Sequence, residues 1–392
     1  MESEHHAKIT DEMVERARGR IGKPWEPDTD EIPFRPFNPF NTQATRDTIR
    51  HFVNSVGDLN PIYRDPEYAK KTRYGRMVAP GCFLISVTSP TGQAGQLPGI
   101  EHWYAGNEFE WYKPILEGDE FTYNLTLVDM PEKTSSSTGT RVFIPRDECV
   151  YKNQKNEVVA KIWGWGFLME RGAAATSNKY KDVKKAEYTQ EELDKIDSDY
   201  ENEIIRGAET RYWEDVEVGE ELQPIVKGPH TIYDLFAYVI GFGSVFFRAY
   251  DLRRAYLKEH PKALIYDETL GEYVMPEMPH VSDALAKQLG APGAYDYGPV
   301  RIAFLGQLLS HWMGDDGFLW KLRAELRVFF VLGDTGWAKG KVTKKYVENG
   351  EYCVDIDCWV ENQRGENTMP GKATVILPSR EAKTWPVAKR MS

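Results

Sequence analysis

Polar residues that suit acid–base chemistry occur together in one short run directly after a predicted amphipathic helix. The run begins at Gly57 and contains Asp58, Asn60 and Tyr63. A carboxylate can take a proton from a bound water molecule, whereas a tyrosine with its usual pKa near ~10 is a weak base at neutral pH. The alternative interpretation is structural, because Asp and Asn are also common in the turns that follow a helix.

A histidine in the second half of the chain is the other candidate for acid–base work. His280 follows Pro279 and precedes a predicted helix over 282–289. Imidazole is the side chain whose ordinary pKa lies closest to neutral pH, so we predict that His280 acts as a general acid or base. The alternative is that this ring only braces the turn after Pro279.

The run that starts at Gly57 resembles the hydratase signature of the MaoC-like (R)-specific enoyl-CoA hydratase/dehydratase family. That signature is G-D-x-N-P-x-H followed by an alanine. The residues that match it are Gly57, Asp58, Asn60, Pro61 and Ala69. Tyr63 stands where the signature has its histidine.

The second half matches only the histidine end of the signature. Counting forward from the preceding helix puts Ser244 at the aspartate position, and counting back from His280 puts Met275 there, so neither position is acidic. The Asp and His of the signature are therefore divided between the two halves. A carboxylate for His280 is expected from the intervening segment, where the candidates are Asp251, Asp267, Glu268, Glu272 and Glu277.

The resemblance implies addition of water to a trans-2-enoyl-CoA, or the reverse elimination, with the signature residues activating the water. An ionisable side chain must take a proton from this water as its oxygen attacks carbon 3, because water is a poor nucleophile. The thioester oxygen then gains negative charge, which a backbone N–H at a helix amino terminus can stabilise. Gly81 and Gly298 each open a predicted long apolar helix and are the expected donors.

Two further residues are predicted to contact the substrate. Asp283 follows His280 closely, and Arg301 lies just inside the second long apolar helix, where it can meet a thioester carbonyl or a phosphate. A surface ion pair is the alternative for Arg301. The predicted catalytic residues are Asp58, Asn60, Tyr63 and His280, and the predicted substrate-binding residues are Gly81, Asp283, Gly298 and Arg301.

The elements that must position these residues occur twice. Thr45 begins a helix pattern that stops at Gly57, and Thr231 with Asp234 begins one that stops at Gly243. Matching pairs then separate alternating runs typical of antiparallel strands. These pairs are Gly118-Asp119 with Gly333-Asp334, and Asn153-Gln154 with Asn362-Gln363.

The repeat and the resemblance together predict an α+β chain of two tandem hot-dog folds, in each of which an antiparallel sheet wraps around a long helix. The predicted parts are an N-terminal extension at 1–44, a first hot-dog domain at 45–172, a linker at 173–207 and a second hot-dog domain at 208–392 with an insertion over about 244–277. The extension is predicted to hold a helix from Asp11 to Arg18 and a proline-rich stretch over 24–39.

Composition excludes several classes of protein. The net charge of −11 over 392 residues lacks the basic excess that a nucleic-acid partner requires. No apolar run reaches the about 20 residues that span a bilayer, so we expect a cytoplasmic protein without membrane contact. The cysteines show no zinc-ligand spacing, and we expect no metal site and reduced, buried thiols; they are Cys82, Cys149, Cys353 and Cys358.

We therefore expect a lyase that hydrates or dehydrates an acyl-CoA thioester and forms a homodimer. No cofactor is expected, because coenzyme A is part of the substrate. Two alternatives remain open at this point: a non-catalytic acyl-CoA-binding subunit of a hot-dog hydratase complex, and a hot-dog thioesterase. A change in the absorbance of a 2-enoyl-CoA indicates the hydratase, and release of free thiol indicates the thioesterase.

Overall fold

The computed structural model of the chain describes residues 8–25, 41–135, 138–171, 173, 180, 183–243, 249–259 and 264–386. Within them the helix predicted near the amino terminus is confirmed as Asp11–Arg18 (α1), with the Thr10 side chain accepting the Met13 N–H at its start. Most of the proline-rich stretch at 24–39 lies outside the described residues, and so does Ser244.

The first half contains the predicted first helix, a loop and then antiparallel strands. Its helices are Arg46–Val56 (α2) and Pro66–Ala69 (α3). Its strands are Val78–Ala79 (β1), Glu101–Trp111 (β2), Ile115–Leu116 (β3), Thr122–Asp129 (β4), Glu132–Thr134 (β5), Arg141–Phe143 (β6), Arg146–Lys152 (β7) and Val158–Met169 (β8).

The second half repeats this order, with additional elements before its central helix. The helix Gln190–Glu201 (α4) precedes the second half and begins with a capping box of Thr189 and Glu192. The further helices are Ile232–Phe242 (α5), Tyr250–Glu259 (α6), Asp283–Gln288 (α7) and Gly298–Met313 (α8). The strands are Ile225–Lys227 (β9), Ile265–Asp267 (β10), Glu272–Val274 (β11), Phe318–Glu325 (β12), Gly336–Glu348 (β13), Glu351–Asn362 (β14) and Asn367–Leu377 (β15).

One continuous antiparallel sheet joins the two halves. Among the described residues its main strand order is β4-β7-β8-β2-β12-β15-β14-β13-β9, so β2 of the first half pairs directly with β12 of the second. The long helix α8 packs against β2 and against β12 to β15, and most of its residues are buried. A sheet that curls around a buried helix is the hot-dog arrangement, and the prediction of two tandem hot-dog folds is confirmed.

The matching motifs make the same hydrogen bonds in both halves. Asp119 and Asp334 each accept the backbone N–H of the residue three positions earlier. The Gln154 side chain donates to Asp119 at 3.4 Å, and the Gln363 side chain donates to Asp334 at 2.7 Å. Each glutamine also accepts the backbone N–H of the residue directly after its aspartate. The likeness between the halves is therefore structural and extends to individual side-chain contacts.

The helices α2 and α5 are also equivalent, and they pack against each other. Each has 11 residues and begins at a capping threonine, Thr45 or Thr231. Each ends at a glycine in the left-handed conformation, Gly57 with φ 64° and Gly243 with φ 66°. These ends fix where the chain leaves each helix and enters the segment that carries the candidate residues.

The prediction of a long helix after Gly81 is wrong for the first half. The segment Gly81–Ser86 is a six-residue 3₁₀ helix, whereas its counterpart α8 has 16 residues. Pro90 follows shortly after, and a proline disfavours helical conformation in the residue before it. The apolar sequence of α8 continues without such a break from Val300 to Trp312.

Candidate active site

His280 occupies the place of the signature histidine in the second half. It ends a three-residue 3₁₀ helix, Met278–His280, shortly before α7. Tyr63 ends the equivalent three-residue helix, Pro61–Tyr63, shortly before α3. The structure thus matches His280 with Tyr63, as the sequence pattern predicted.

The surroundings of His280 fix its orientation and its tautomer. Its ring lies between those of Tyr295 and Tyr297, with ring centroids 4.4 and 4.0 Å away. Its Nδ1 is 2.9 Å from the carbonyl oxygen of Tyr295, which can only accept, so Nδ1 carries the hydrogen. Desolvation lowers the pKa of His280, and the neutral ring therefore carries its lone pair on Nε2.

His280 lines two adjoining cavities with volumes of about 520 and 240 Å³. Their combined size suits a small-molecule ligand. The larger cavity is bordered by aromatic rings and by three cations, Lys133, Arg301 and Arg327. The smaller cavity is bordered in part by apolar residues of α5. The residues that line both cavities are His102, Tyr104, His280 and Gly298.

Gly298 begins α8 at the wall of both cavities. Pro299 has no N–H, and the N–H of Val300 bonds to the Tyr297 carbonyl. Within the part of the chain that the structure describes, the N–H of Gly298 has no backbone partner and is a donor at the helix start. A β-carbon on Gly298 would lie 2.3 Å from a Leu326 methyl and 2.7 Å from the Tyr104 ring, so a larger residue would displace these side chains. A helix amino terminus and the imidazole of His280 therefore face the same space.

Arg301 is not on the surface, so the alternative of a surface ion pair is wrong. The residue is 3% exposed, and its Nε donates to Asp296 Oδ2 at 2.6 Å. Its Nη1 donates to the Val328 carbonyl at 2.9 Å. Arg301 borders the larger cavity, but its guanidinium is largely engaged by the protein.

The acidic residues near His280 differ in what they contact. Glu277 lines the smaller cavity together with His280, whereas the Asp267 carboxylate accepts backbone N–H groups within its own hairpin turn. Asp283 is exposed, and its Oδ1 accepts the Ala294 N–H at 2.8 Å, so it holds the loop before α8. Three further acidic residues of the insertion are exposed; they are Asp251, Glu268 and Glu272.

Asp58 has a histidine partner that the sequence did not indicate. The carboxylate is 2% exposed, accepts the Asn60 N–H at 2.9 Å, and lies 3.0 Å from Nε2 of His311. His311 belongs to the last turn of α8, in the other half of the chain. The two residues are 253 positions apart, and no local pattern joins them.

The space around Asp58 is nearly closed. Asp58, Tyr63 and Gly81 line a cavity of about 30 Å³, beside another of about 70 Å³ that Asn60 lines. The Trp111 indole N–H donates to the Gly81 carbonyl at 3.0 Å, and its ring covers this glycine. Burial and the charge of Asp58 raise the pKa of Tyr63, which stays neutral. Such volumes hold water molecules but not a thioester.

No group of three or more His, Cys, Asp or Glu side chains arranged to hold a metal occurs among the described residues. The four cysteines are free thiols and buried, as predicted. No helix within the described ranges is long and apolar enough to cross a membrane.

Comparisons with known proteins agree with this architecture. A family model described as "FAS1-like, dehydratase domain region" matches residues 34–162. A UPF0336 protein from Streptomyces avermitilis is 32% identical over 126 residues, which are 31% of this chain and 81% of that protein. An (R)-specific enoyl-CoA hydratase from Aeromonas caviae is 34% identical over 88 residues, 22% of this chain and 64% of that enzyme.

A solved structure extends the likeness over both halves. It is a MaoC-like dehydratase with a TM-score of 0.63 and 16% sequence identity, and the alignment covers 92% of this chain and 99% of that one. The sequence matches and the shared fold lead to one assignment: this chain belongs to the MaoC-like hydratase/dehydratase family.

Proposed function

We propose that the protein adds water to the double bond of a 2-enoyl thioester, or removes it from a 3-hydroxyacyl thioester, at the cavities that His280 lines. One observation carries this proposal. A neutral imidazole with a fixed tautomer and the amino terminus of a buried helix border the same ligand-sized space. Membership of a hydratase and dehydratase family supports the type of reaction.

The proposed reaction uses both features. In hydration, Nε2 of His280 takes a proton from water as the water oxygen bonds to carbon 3 of the thioester. The electrons of the double bond move towards the thioester oxygen, and the Gly298 N–H stabilises the resulting enolate. The imidazolium then returns its proton to carbon 2, so that the elements of water have been added. Elimination follows the same steps in reverse.

We propose coenzyme A as the thiol part of the substrate. Lys133 and Arg327 border the larger cavity, and their charges complement the phosphates of such a carrier. The apolar residues of α5 border the smaller cavity and suit the acyl group; they are Tyr238, Val239 and Phe242. In this proposal coenzyme A enters with the substrate and the reaction needs no other cofactor.

The test is an assay of the purified protein with crotonyl-CoA. The expected result is loss of absorbance at the conjugated thioester band without release of free thiol. His280→Gln should lower kcat by about 10²–10⁴-fold, because it removes the general base. His51→Gln, which removes an exposed imidazole from α2, should leave kcat unchanged.

Three outcomes would contradict the proposal. Release of free thiol by the wild-type protein would indicate a thioesterase. Binding of the CoA ester without any turnover would indicate a non-catalytic subunit. Equal activity of the His280→Gln and His51→Gln variants would remove His280 from the reaction.

A further inference from the structure

We propose that His102 is a second catalytic residue, whose imidazole accepts the second hydrogen of the water molecule that His280 deprotonates. This inference rests on the proposed function of the cavities. It assigns chemistry to a first-half residue at a site whose other named groups, His280 and Gly298, belong to the second half.

The position of His102 supports this role. It lies on β2, the strand that joins the two halves of the sheet, and it lines both cavities together with His280. The neighbouring strand β8 has Gly166 beside the ring, where a β-carbon would be 2.2 Å from His102 Nε2. The glycine therefore makes room for an imidazole at the junction of the cavities.

The tautomer of His102 is fixed in the same way as that of His280. Its Nε2 lies 3.0 Å from the Thr91 carbonyl oxygen, which can only accept, so Nε2 carries the hydrogen. Burial lowers the pKa of His102 to about 4, and the ring is neutral at physiological pH. The lone pair on Nδ1 is therefore available to accept a hydrogen bond.

Two such lone pairs meet a specific requirement of the reaction. A water molecule has two hydrogens, and its oxygen points at a chosen carbon only when both are held. The aspartate of the family signature has no acidic counterpart at Ser244 or Met275. His102 provides an acceptor at the same cavity as His280, although it comes from the other half of the chain.

Asp296 is the competing acceptor at the larger cavity, and its geometry argues against it. It lies between Tyr295 and Tyr297, whose rings both contact His280. Side chains alternate in an extended segment, so the Asp296 carboxylate is directed away from His280 and towards Arg301. The bond to Arg301 Nε, at 2.6 Å, engages Oδ2 of this carboxylate at the cavity wall.

The variant that tests the inference is His102→Gln. Its side-chain amide can still donate to the Thr91 carbonyl, but the imidazole lone pair is lost. The adjacent loop is also held by Asn107, which donates to the Pro90 carbonyl at 2.7 Å, and by Asp147, which accepts the Gly92 N–H at 3.0 Å. The fold should therefore persist.

With crotonyl-CoA we expect His102→Gln to lower kcat by about 10–100-fold while KM changes by less than about threefold, because the loss affects the orientation of water and not substrate binding. The control is His230→Gln, which removes a buried imidazole that borders neither cavity and should leave kcat unchanged. A wild-type kcat in His102→Gln would overturn the role of His102 while leaving the proposed function intact.

The double variant His102→Gln/His280→Gln provides an independent readout. Two residues that hold the same water act as a unit, so their combined loss should be much smaller than the product of the single losses. A combined loss equal to the product of the two single losses would mean that His102 acts elsewhere and would overturn the inference. Absence of turnover in the wild-type protein would instead overturn the proposed function.

Discussion

The two halves of the chain build equivalent sites and keep different parts of the family signature. The first half keeps the aspartate, Asp58, with Tyr63 at the histidine position. The second half keeps the histidine, His280, without an acidic residue at the aspartate positions that the sequence suggests. A glycine at the start of a helix borders each site, Gly81 in the first and Gly298 in the second.

The two sites differ more clearly in cavity volume than in the chemistry of their residues. The first-half cavities measure about 30 and 70 Å³, and the second-half cavities about 520 and 240 Å³. In the first-half site, Trp111 covers Gly81, and the Asp58 carboxylate is hydrogen-bonded to His311. A signature residue therefore indicates where a site was built, and the volume beside it indicates whether a substrate can reach it.

The largest expected effect comes from exchanging the equivalent residues. His280→Tyr gives the second half the residue of the first, and should lower kcat with crotonyl-CoA by about 10²–10⁴-fold because a neutral tyrosine cannot act as the base. Tyr63→Phe removes the equivalent hydroxyl from the closed site and should change kcat by less than about twofold. Equal losses from the two variants would show that both sites contribute to turnover.

The pH dependence of kcat/KM tests whether His280 is the base. The reaction needs neutral His280, and desolvation holds its pKa below the ordinary value of 6.5. Activity should be constant through neutral pH and fall about tenfold per unit once the pH drops below this lowered pKa, where the imidazole gains a proton. A fall that begins above pH 6.5 would point to a base other than this ring.

Local signals in the sequence were sufficient for much of the fold. Capping residues and stop glycines predicted α1, α2 and α5 because each depends on contacts within a few residues. The repeated motifs around Gln154 and Gln363 predicted the duplicated turns for the same reason. The predicted length of the helix after Gly81 was wrong, because an apolar pattern does not by itself show where a helix ends.

Contacts between the halves could not be predicted from the sequence. His311 joins Asp58 across 253 positions, and His102 reaches the second-half cavities through the pairing of β2 with β12. Arg301 is buried because Asp296 and two backbone carbonyls receive it, which only tertiary packing determines. The sequence therefore located the candidate residues but not the partners that decide their roles.

Removing the carboxylate of Asp58 tests whether the first-half site is structural. Asp58→Ala leaves the His311 ring N–H and the Asn60 N–H without their buried acceptor, so we expect a loss of about 2–3 kcal/mol in the free energy of unfolding. Urea denaturation measures this loss, and kcat of the folded variant should stay within about threefold of wild type. A kcat loss of about 100-fold or more without destabilisation would assign catalysis to the first half.

The smallest expected effect tests whether α2 and α5 end in the same way. Gly57→Ala and Gly243→Ala each place a β-carbon on a backbone with positive φ, which should cost about 1 kcal/mol of stability. The loss should be slightly larger at Gly243, where the new β-carbon would lie 3.1 Å from Asn41 Oδ1, than at Gly57, where Lys227 Nζ is 3.6 Å away. Gly19→Ala is the matched control, because Gly19 ends α1 with φ −60° and alanine adopts that conformation without strain. If Gly57→Ala and the control were equally stable, the left-handed end of α2 would not be required, and the equivalence of the two helix ends would not hold.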